Sequence, residues 1–84
     1  MLVIRRVEMT PHFIRSFITM PQDVQKAFGK QLGLLFQNSA HSSLDLKLYD
    51  KAQGIWQARV TREYRFYFTA KGDLSSLQEI KAHD

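Results

Sequence analysis

Two segments in the second half of the chain, Ile55 to Thr61 and Tyr64 to Thr69, alternate at a period of two with only Arg62 and Glu63 between them. Successive side chains of a strand point to opposite faces, so once such strands pair they define two surfaces. One surface receives Trp56, Ala58, Val60, Tyr64, Phe66 and Phe68; the other receives Gln57, Arg59, Thr61, Arg65, Tyr67 and Thr69. The first set reads as core. The second is cationic and aromatic, the raw material of an RNA-binding surface.

The upstream half offers a cover for the apolar surface. Leu2 to Met9 reads as a first strand, with Val3, Ile4 and Val7 supplying β-branched residues. Thr10 followed by Pro11 is a helix start, and a helix is predicted to about Thr19, carrying Phe13 and Phe17 one turn apart. Met20-Pro21 breaks it, and a second helix is predicted from Pro21 to about Gln37. Val24, Phe28, Leu32, Leu35 and Phe36 form its apolar stripe. Gly29 and Gly33 inside it fit either a close approach of the two helices or a tolerated weakness.

After a polar loop containing His41, Leu44, Leu46 and Leu48 alternate with Asp45, Lys47 and Tyr49 and predict a half-buried strand. Gln53-Gly54 and Lys71-Gly72-Asp73 mark turns on either side of the central hairpin. The last strand is predicted from Leu74 to His83, but Leu77 and Ile80 have opposite parity, which implies a bulge or an irregular end. The order β-α-α-β-β-β-β predicts an α+β fold, with a two-helix hairpin on one face of a small, mainly antiparallel sheet and an open basic face opposite. A single domain over residues 1–84 accounts for the whole chain.

Bulk properties exclude several classes. Without cysteine there is no disulfide framework, thiolate metal site or thiol nucleophile. Three scattered histidines lack zinc-ligand spacing, and neither glycine-rich phosphate loop nor nucleophile elbow occurs. No metal and no cofactor are expected. No apolar run approaches the roughly 20 residues that span a bilayer, and the N-terminus lacks the order of a signal peptide. No membrane role is expected, and the cytoplasm is the default location. The net charge of +4 favours a polyanion or an acidic protein partner.

RNA cleavage by its own 2′-hydroxyl needs a base, a cation to stabilise charge on the phosphate, and an acid for the leaving oxygen. Arg59 and Arg65 share one face of neighbouring strands, and Lys47 joins them if its strand is adjacent. Arg62, at the hairpin tip, suits a peripheral phosphate contact. His83 is the foremost candidate for proton transfer, with Asp84 beside it, because imidazole both gives and takes a proton near neutral pH. His41 is a second candidate, and His12 reads as surface. Tyr67, and after it Tyr49, could stack on an unpaired base.

The segments TPHF, MPQDV, HSSLDLKL, GIWQARVTREYRFYF and the terminal IKAHD, in this order and spacing, resemble the RelE/ParE superfamily of bacterial type II toxins across nearly the whole chain. The resemblance implies a toxin neutralised by a cognate antitoxin, in a toxin–antitoxin hetero-oligomer. It also implies one of two actions: ribosome-dependent, metal-independent cleavage of mRNA, or inhibition of DNA gyrase without cleavage. Lys47 then matches a lysine of the second strand, Arg65 the catalytic arginine, His83 the C-terminal histidine, and Arg59 a recurrent basic position. Many mRNA-cleaving members carry an aromatic residue after that histidine, where this sequence has Asp84. The expectation is an endoribonuclease acting on ribosome and mRNA, with gyrase inhibition or a decayed, inactive toxin as alternatives. Phe13, Phe17 and Phe36 are candidate anchors for the antitoxin, whose C-terminal segment is expected to cover Arg65.

Overall fold

Thr10 and Pro11 begin the first helix as their chemistry requires. The Thr10 hydroxyl accepts a hydrogen bond from the Phe13 amide at 3.1 Å, and Pro11 occupies a first-turn position that has no use for an amide proton. In the computed structural model, which describes residues 2–83, strand β1 (Arg6–Met9) leads into helix α1 (Pro11–Ile18) and helix α2 (Gln22–Gln37). A short 3-10 turn (Ser42–Leu44) precedes strands β2 (Lys47–Asp50), β3 (Ile55–Arg59), β4 (Tyr64–Lys71) and β5 (Leu74–Ala82). One sheet contains all five strands in the order β1-β5-β4-β3-β2. Only the β1–β5 pair is parallel. This is the expected α+β arrangement.

The apolar face of the hairpin packs as its alternation predicts. Phe66 and Phe68 are fully buried, and Phe28 of α2 meets the Phe66 ring edge-on at 5.1 Å. Phe13 of α1 lies 5.4 Å from Phe28, linking both helices to β4 through a chain of rings. Gln31, buried on the same helix, donates from Nε2 to the carbonyls of Ser43 (3.1 Å) and Arg59 (3.0 Å). That amide satisfies two carbonyls where β3 and the 3-10 turn would otherwise bury them unpaired.

The irregular last strand resolves into a bulge. Tyr67 pairs with Glu79 but Phe68 pairs with Leu77, leaving Gln78 as the extra residue. The bulge shifts the parity by one, so Leu77 and Ile80 both turn into the core, at 0% and 1% exposure. It also anchors α1: the Thr10 amide donates to the Leu77 carbonyl, and the Thr10 hydroxyl approaches the Gln78 carbonyl.

Four expectations need correction. The first strand is Arg6–Met9 rather than Leu2 to Met9; Ile4 is nonetheless buried, and the Asp73 carbonyl accepts the amides of Arg5 and Arg6. The Leu44–Tyr49 strand starts only at Lys47. His41 Nδ1 accepts the Ser43 amide, and Asp45 at φ 45° reverses the chain in the left-handed region that Asp tolerates better than most residues. Leu44 is therefore buried from a turn, while Leu48 on the edge strand stays exposed. Phe13 is wholly buried and no anchor for a partner; Ile14 and Ile18 are the exposed apolar residues of α1. Finally, the face opposite the helices is basic but not open at its centre, where Gln57, Arg65 and Tyr67 are buried.

No close approach explains the helix glycines, since a Cβ on Gly29 or Gly33 would meet nothing within 4 Å. Gly29→Ala should therefore raise the unfolding free energy by roughly 0.5–1 kcal/mol, because the folded state accepts the methyl and the unfolded chain loses freedom. A higher urea midpoint at unchanged slope is the expected result. A lower midpoint would place something against that helix face.

Candidate functional site

Strand pairing arranges the side chains opposite the helices in rows. Lys47 lies across from Gln57, Gln57 from Tyr67, and Tyr67 from Glu79. Two residues along, Arg59, Arg65 and Lys81 align on β3, β4 and β5. With neighbouring strands about 4.8 Å apart, these three cations span about 10 Å. The His83 amide donates to the Glu63 carbonyl at 2.7 Å, which extends the β4–β5 ladder past Ala82. His83 thereby has the parity of Lys81 and is exposed two residues beyond it, beside the cationic row. Asp84 lies outside the described residues.

The members of the row are held differently. Arg65 is 7% exposed, and its Nη1 donates to the carbonyls of Thr61 (2.7 Å), Tyr64 (3.0 Å) and Arg62 (3.2 Å). The guanidinium thus clamps the β3–β4 turn from within. Its Nε is buried with no partner among the described residues, as is the Nε of Arg59. Arg59 reaches Asp45 at 3.7 Å, a long ion pair exposed on both sides. Buried N–H groups without acceptors are costly, so both guanidinium groups retain an unmet demand for an acceptor.

Tyr67 is 5% exposed and engaged on three sides. Gln57 Nε2 donates to its hydroxyl at 3.0 Å, the Tyr49 ring meets it edge-on at 5.0 Å, and Lys81 Nζ sits 5.2 Å from its ring centre. No face remains for a stacked base. Tyr49, 57% exposed on the edge strand, presents the available ring. Its placement follows from a second bulge: Leu48 pairs with Trp56 and Asp50 with Ile55, leaving Tyr49 extra.

A groove of about 480 Å³ opens beside this row, between the start of α1 and the sheet. Its walls include His12, Arg15, Tyr49, Tyr67, Glu79 and Lys81. Glu79 Oε2 lies 3.2 Å from His12 Nε2, and Glu79 Oε1 lies 3.0 Å from Lys81 Nζ. Partial burial works to raise the Glu79 carboxyl, but the hydrogen bonds and charges of Lys81 and His12 outweigh it and hold the group below its ordinary range. The Glu79 hydrogen bond, against a smaller opposing desolvation, raises the Lys81 ammonium. His12 is on the surface as expected, with its side chain 58% exposed, but nothing local in the sequence links residue 12 to residue 79. The bulge at Gln78, which seats the helix start on β5, makes the link.

These shifts fix the sign of a pH effect. A depressed carboxyl stabilises the fold above its unfolded pKa and loses that contribution as pH falls through the folded value; a raised ammonium does the reverse at the alkaline end. The Glu79–Lys81 pair therefore contributes fully between about pH 5 and pH 10, bounded by unfolded values near 4.3 and 10.4. Glu79→Gln should flatten the acid limb of a stability–pH curve by less than about 1 kcal/mol, since the pair is solvent-screened. An unchanged acid limb would show that the pair does not persist in solution.

Lys47 is exposed one row from the arginines, its strand adjacent to β3. Arg62 is exposed at the hairpin tip and contributes its carbonyl to the Arg65 clamp. His41 caps the 3-10 turn and lines a different hollow with Asp45 and Trp56, away from the His12 groove. Among the described residues no cluster of His, Asp and Glu could hold a metal ion, and no helix is long and apolar enough to cross a membrane.

No protein-family model matches the chain, and no curated protein matches it in sequence. Solved structures do match in shape. The archaeal RelE–RelB complex from Pyrococcus horikoshii superposes with a TM-score of 0.74 at 14% identity, over 98% of this chain and 96% of that one. The YoeB/ParE toxin from Agrobacterium tumefaciens gives 0.76 at 12% identity, over 95% and 100%. The fold is that of the RelE/ParE toxins. The RelBE2 toxin–antitoxin complex of Mycobacterium tuberculosis agrees, at 0.75 and 18% identity over 96% of this chain and 100% of that one. At such identities the RelE/ParE likeness is one of backbone, and the chemistry rests on this chain's own side chains.

Proposed function

We propose that the chain is the toxin of a toxin–antitoxin pair and an endoribonuclease that cuts ribosome-bound mRNA. The observation that carries this reading is the row Arg59, Arg65 and Lys81 across three strands, with the exposed His83 two residues beyond Lys81 along the chain. A scissile phosphate laid on the row meets guanidinium and ammonium donors, which stabilise the charge that builds on its oxygens. His83 transfers a proton at one end, and Lys47 and Arg62 contact neighbouring phosphates. Tyr49, rather than Tyr67, stacks on an unpaired base, because only its ring is free. The role needs no metal: the 2′-oxygen attacks phosphorus, the bond to the 5′-oxygen breaks, and the products are a 2′,3′-cyclic phosphate and a 5′-hydroxyl.

A protein partner follows from two supports. Of the structures that share the fold, RelE was solved in complex with RelB, and RelBE2 is a toxin–antitoxin complex. The exposed cations Lys47, Arg62 and Lys81, with the partly exposed Arg59, suit an acidic segment that folds on binding. Arg65, already buried, is not what such a segment would cover.

One observation favours a second reading. The Arg65 guanidinium spends three contacts on its own turn, which suits a protein that binds its target, such as gyrase, without cleaving anything. Purified protein added to in vitro translation should leave shortened mRNA while sparing gyrase supercoiling. Intact mRNA together with blocked supercoiling would reverse the assignment.

A further inference from the structure

The cationic row accounts for phosphate stabilisation and one proton-transfer group, but in-line cleavage needs two such groups on opposite sides of phosphorus. The groove beside the row holds a second imidazole. We infer that His12, oriented by Glu79, is the second proton-transfer residue, working across Lys81 from His83; this rests on the endoribonuclease reading. Glu79 on β5 and His83 just past its end lie four residues apart, about 13 Å at strand rise, with Lys81 midway. His12 Nε2 stands 3.2 Å from Glu79, and Lys81 Nζ 3.0 Å from the same carboxylate. A phosphate held by Lys81 and Arg65 is thus flanked by His12 on one side and His83 on the other.

The groove has the contents such a step requires. Its volume of about 480 Å³ admits one nucleotide, and the exposed Tyr49 ring offers a stacking surface for the base beside the reacting phosphate. Glu79 bonds one imidazole nitrogen and fixes the ring, so the other nitrogen is left to exchange a proton with substrate. One histidine takes the 2′-hydroxyl proton while the other delivers a proton to the departing 5′-oxygen, so protons balance within the step. The charged and titratable groups facing His12 are Arg15 on its own helix, Glu79 and Lys81 on β5, Tyr67 on β4 and Tyr49 on β2. Glu79 is a positioning residue: its carboxylate acts through the ring it holds.

The test is single-turnover cleavage of mRNA on programmed ribosomes between about pH 5.5 and about pH 8.5, the window in which histidine titrates. The wild-type chain should give a bell-shaped rate profile. His12→Gln should lower the maximum by about 100-fold and remove one limb, within the range for losing a general acid or base. Glu79→Gln should lower the maximum about 10-fold with both limbs retained and ribosome binding unchanged, as the loss of an orienting group requires. Circular dichroism on each variant separates these losses from misfolding. Cleavage by the wild type with an unaltered His12→Gln profile would overturn the inference while leaving the endoribonuclease reading intact. Absence of wild-type cleavage would overturn both.

Discussion

Arg65→Ala should damage stability and activity together, and the ratio of the two losses reports what the residue is for. In the folded chain Nη1 donates to three carbonyls of the β3–β4 turn, and charged donors contribute more than neutral ones. Removing the side chain leaves those carbonyls short of donors next to a buried site, and a loss of about 2–3 kcal/mol in unfolding free energy is expected. Under the proposed endoribonuclease reading, removing a preorganised donor from a developing oxyanion is expected to slow cleavage by about 100-fold or more. Arg65→Lys retains the charge but not the planar fork, so it should recover part of the cleavage rate and little of the stability. Denaturant unfolding and mRNA cleavage on the same preparations measure both quantities. Lost stability with unimpaired cleavage would make Arg65 a turn clamp alone, and would shift phosphate binding to Arg59 and Lys81.

The fold was legible because its strongest signals are short-range. Threonine and proline at positions 10 and 11, the helical stripe of Val24, Phe28 and Leu35, and the alternation through the β3–β4 hairpin each act over a few residues. Even the misfit of Leu77 and Ile80 pointed to the bulge that the sheet uses to turn both inward. The errors arose where apolar residues meet their environment through a turn. Leu44 reads as the first residue of a strand because leucines follow it at even spacing, yet a 3-10 turn and the left-handed Asp45 bury it instead.

The candidate site was legible in its strand positions and illegible in its contacts. Parity placed Arg59, Arg65 and Tyr67 on one face, and the register puts them there. Parity carries no information about crowding, so it could not show that Gln57, Tyr49 and Lys81 close around Tyr67, or that Arg65 turns back on its own hairpin. Nor could it bring His12 to Glu79, 67 residues away, since that contact depends on the helix start settling on the β5 bulge. The groove is thus a product of tertiary packing, built from residues that individually look like ordinary surface.

That packing depends on one ring above the others, and Phe66→Ala is expected to carry the largest stability loss of any single core truncation here. Phe66 is the third of the eight residues of β4, across from Ala58 on one side and Ile80 on the other, with no exposed surface. Phe28 meets it edge-on at 5.1 Å and Phe68 stacks at 5.7 Å, so it joins the sheet to α2 and, through Phe28, to Phe13 of α1. Truncation removes the buried ring area and leaves a cavity that the flanking strands cannot close, at about 3–5 kcal/mol. A domain of this size has only about 5–15 kcal/mol to lose, so the variant should unfold at markedly lower denaturant and populate unfolded chain on mild heating. Phe66→Leu, which refills much of the volume, should recover more than half of the loss. Both are read from urea unfolding followed by the fluorescence of Trp56, which packs against the same core. A loss below about 1 kcal/mol for the alanine variant would mean that the helices close over the gap, contrary to the rigid packing that holds α1, and with it His12, against β5.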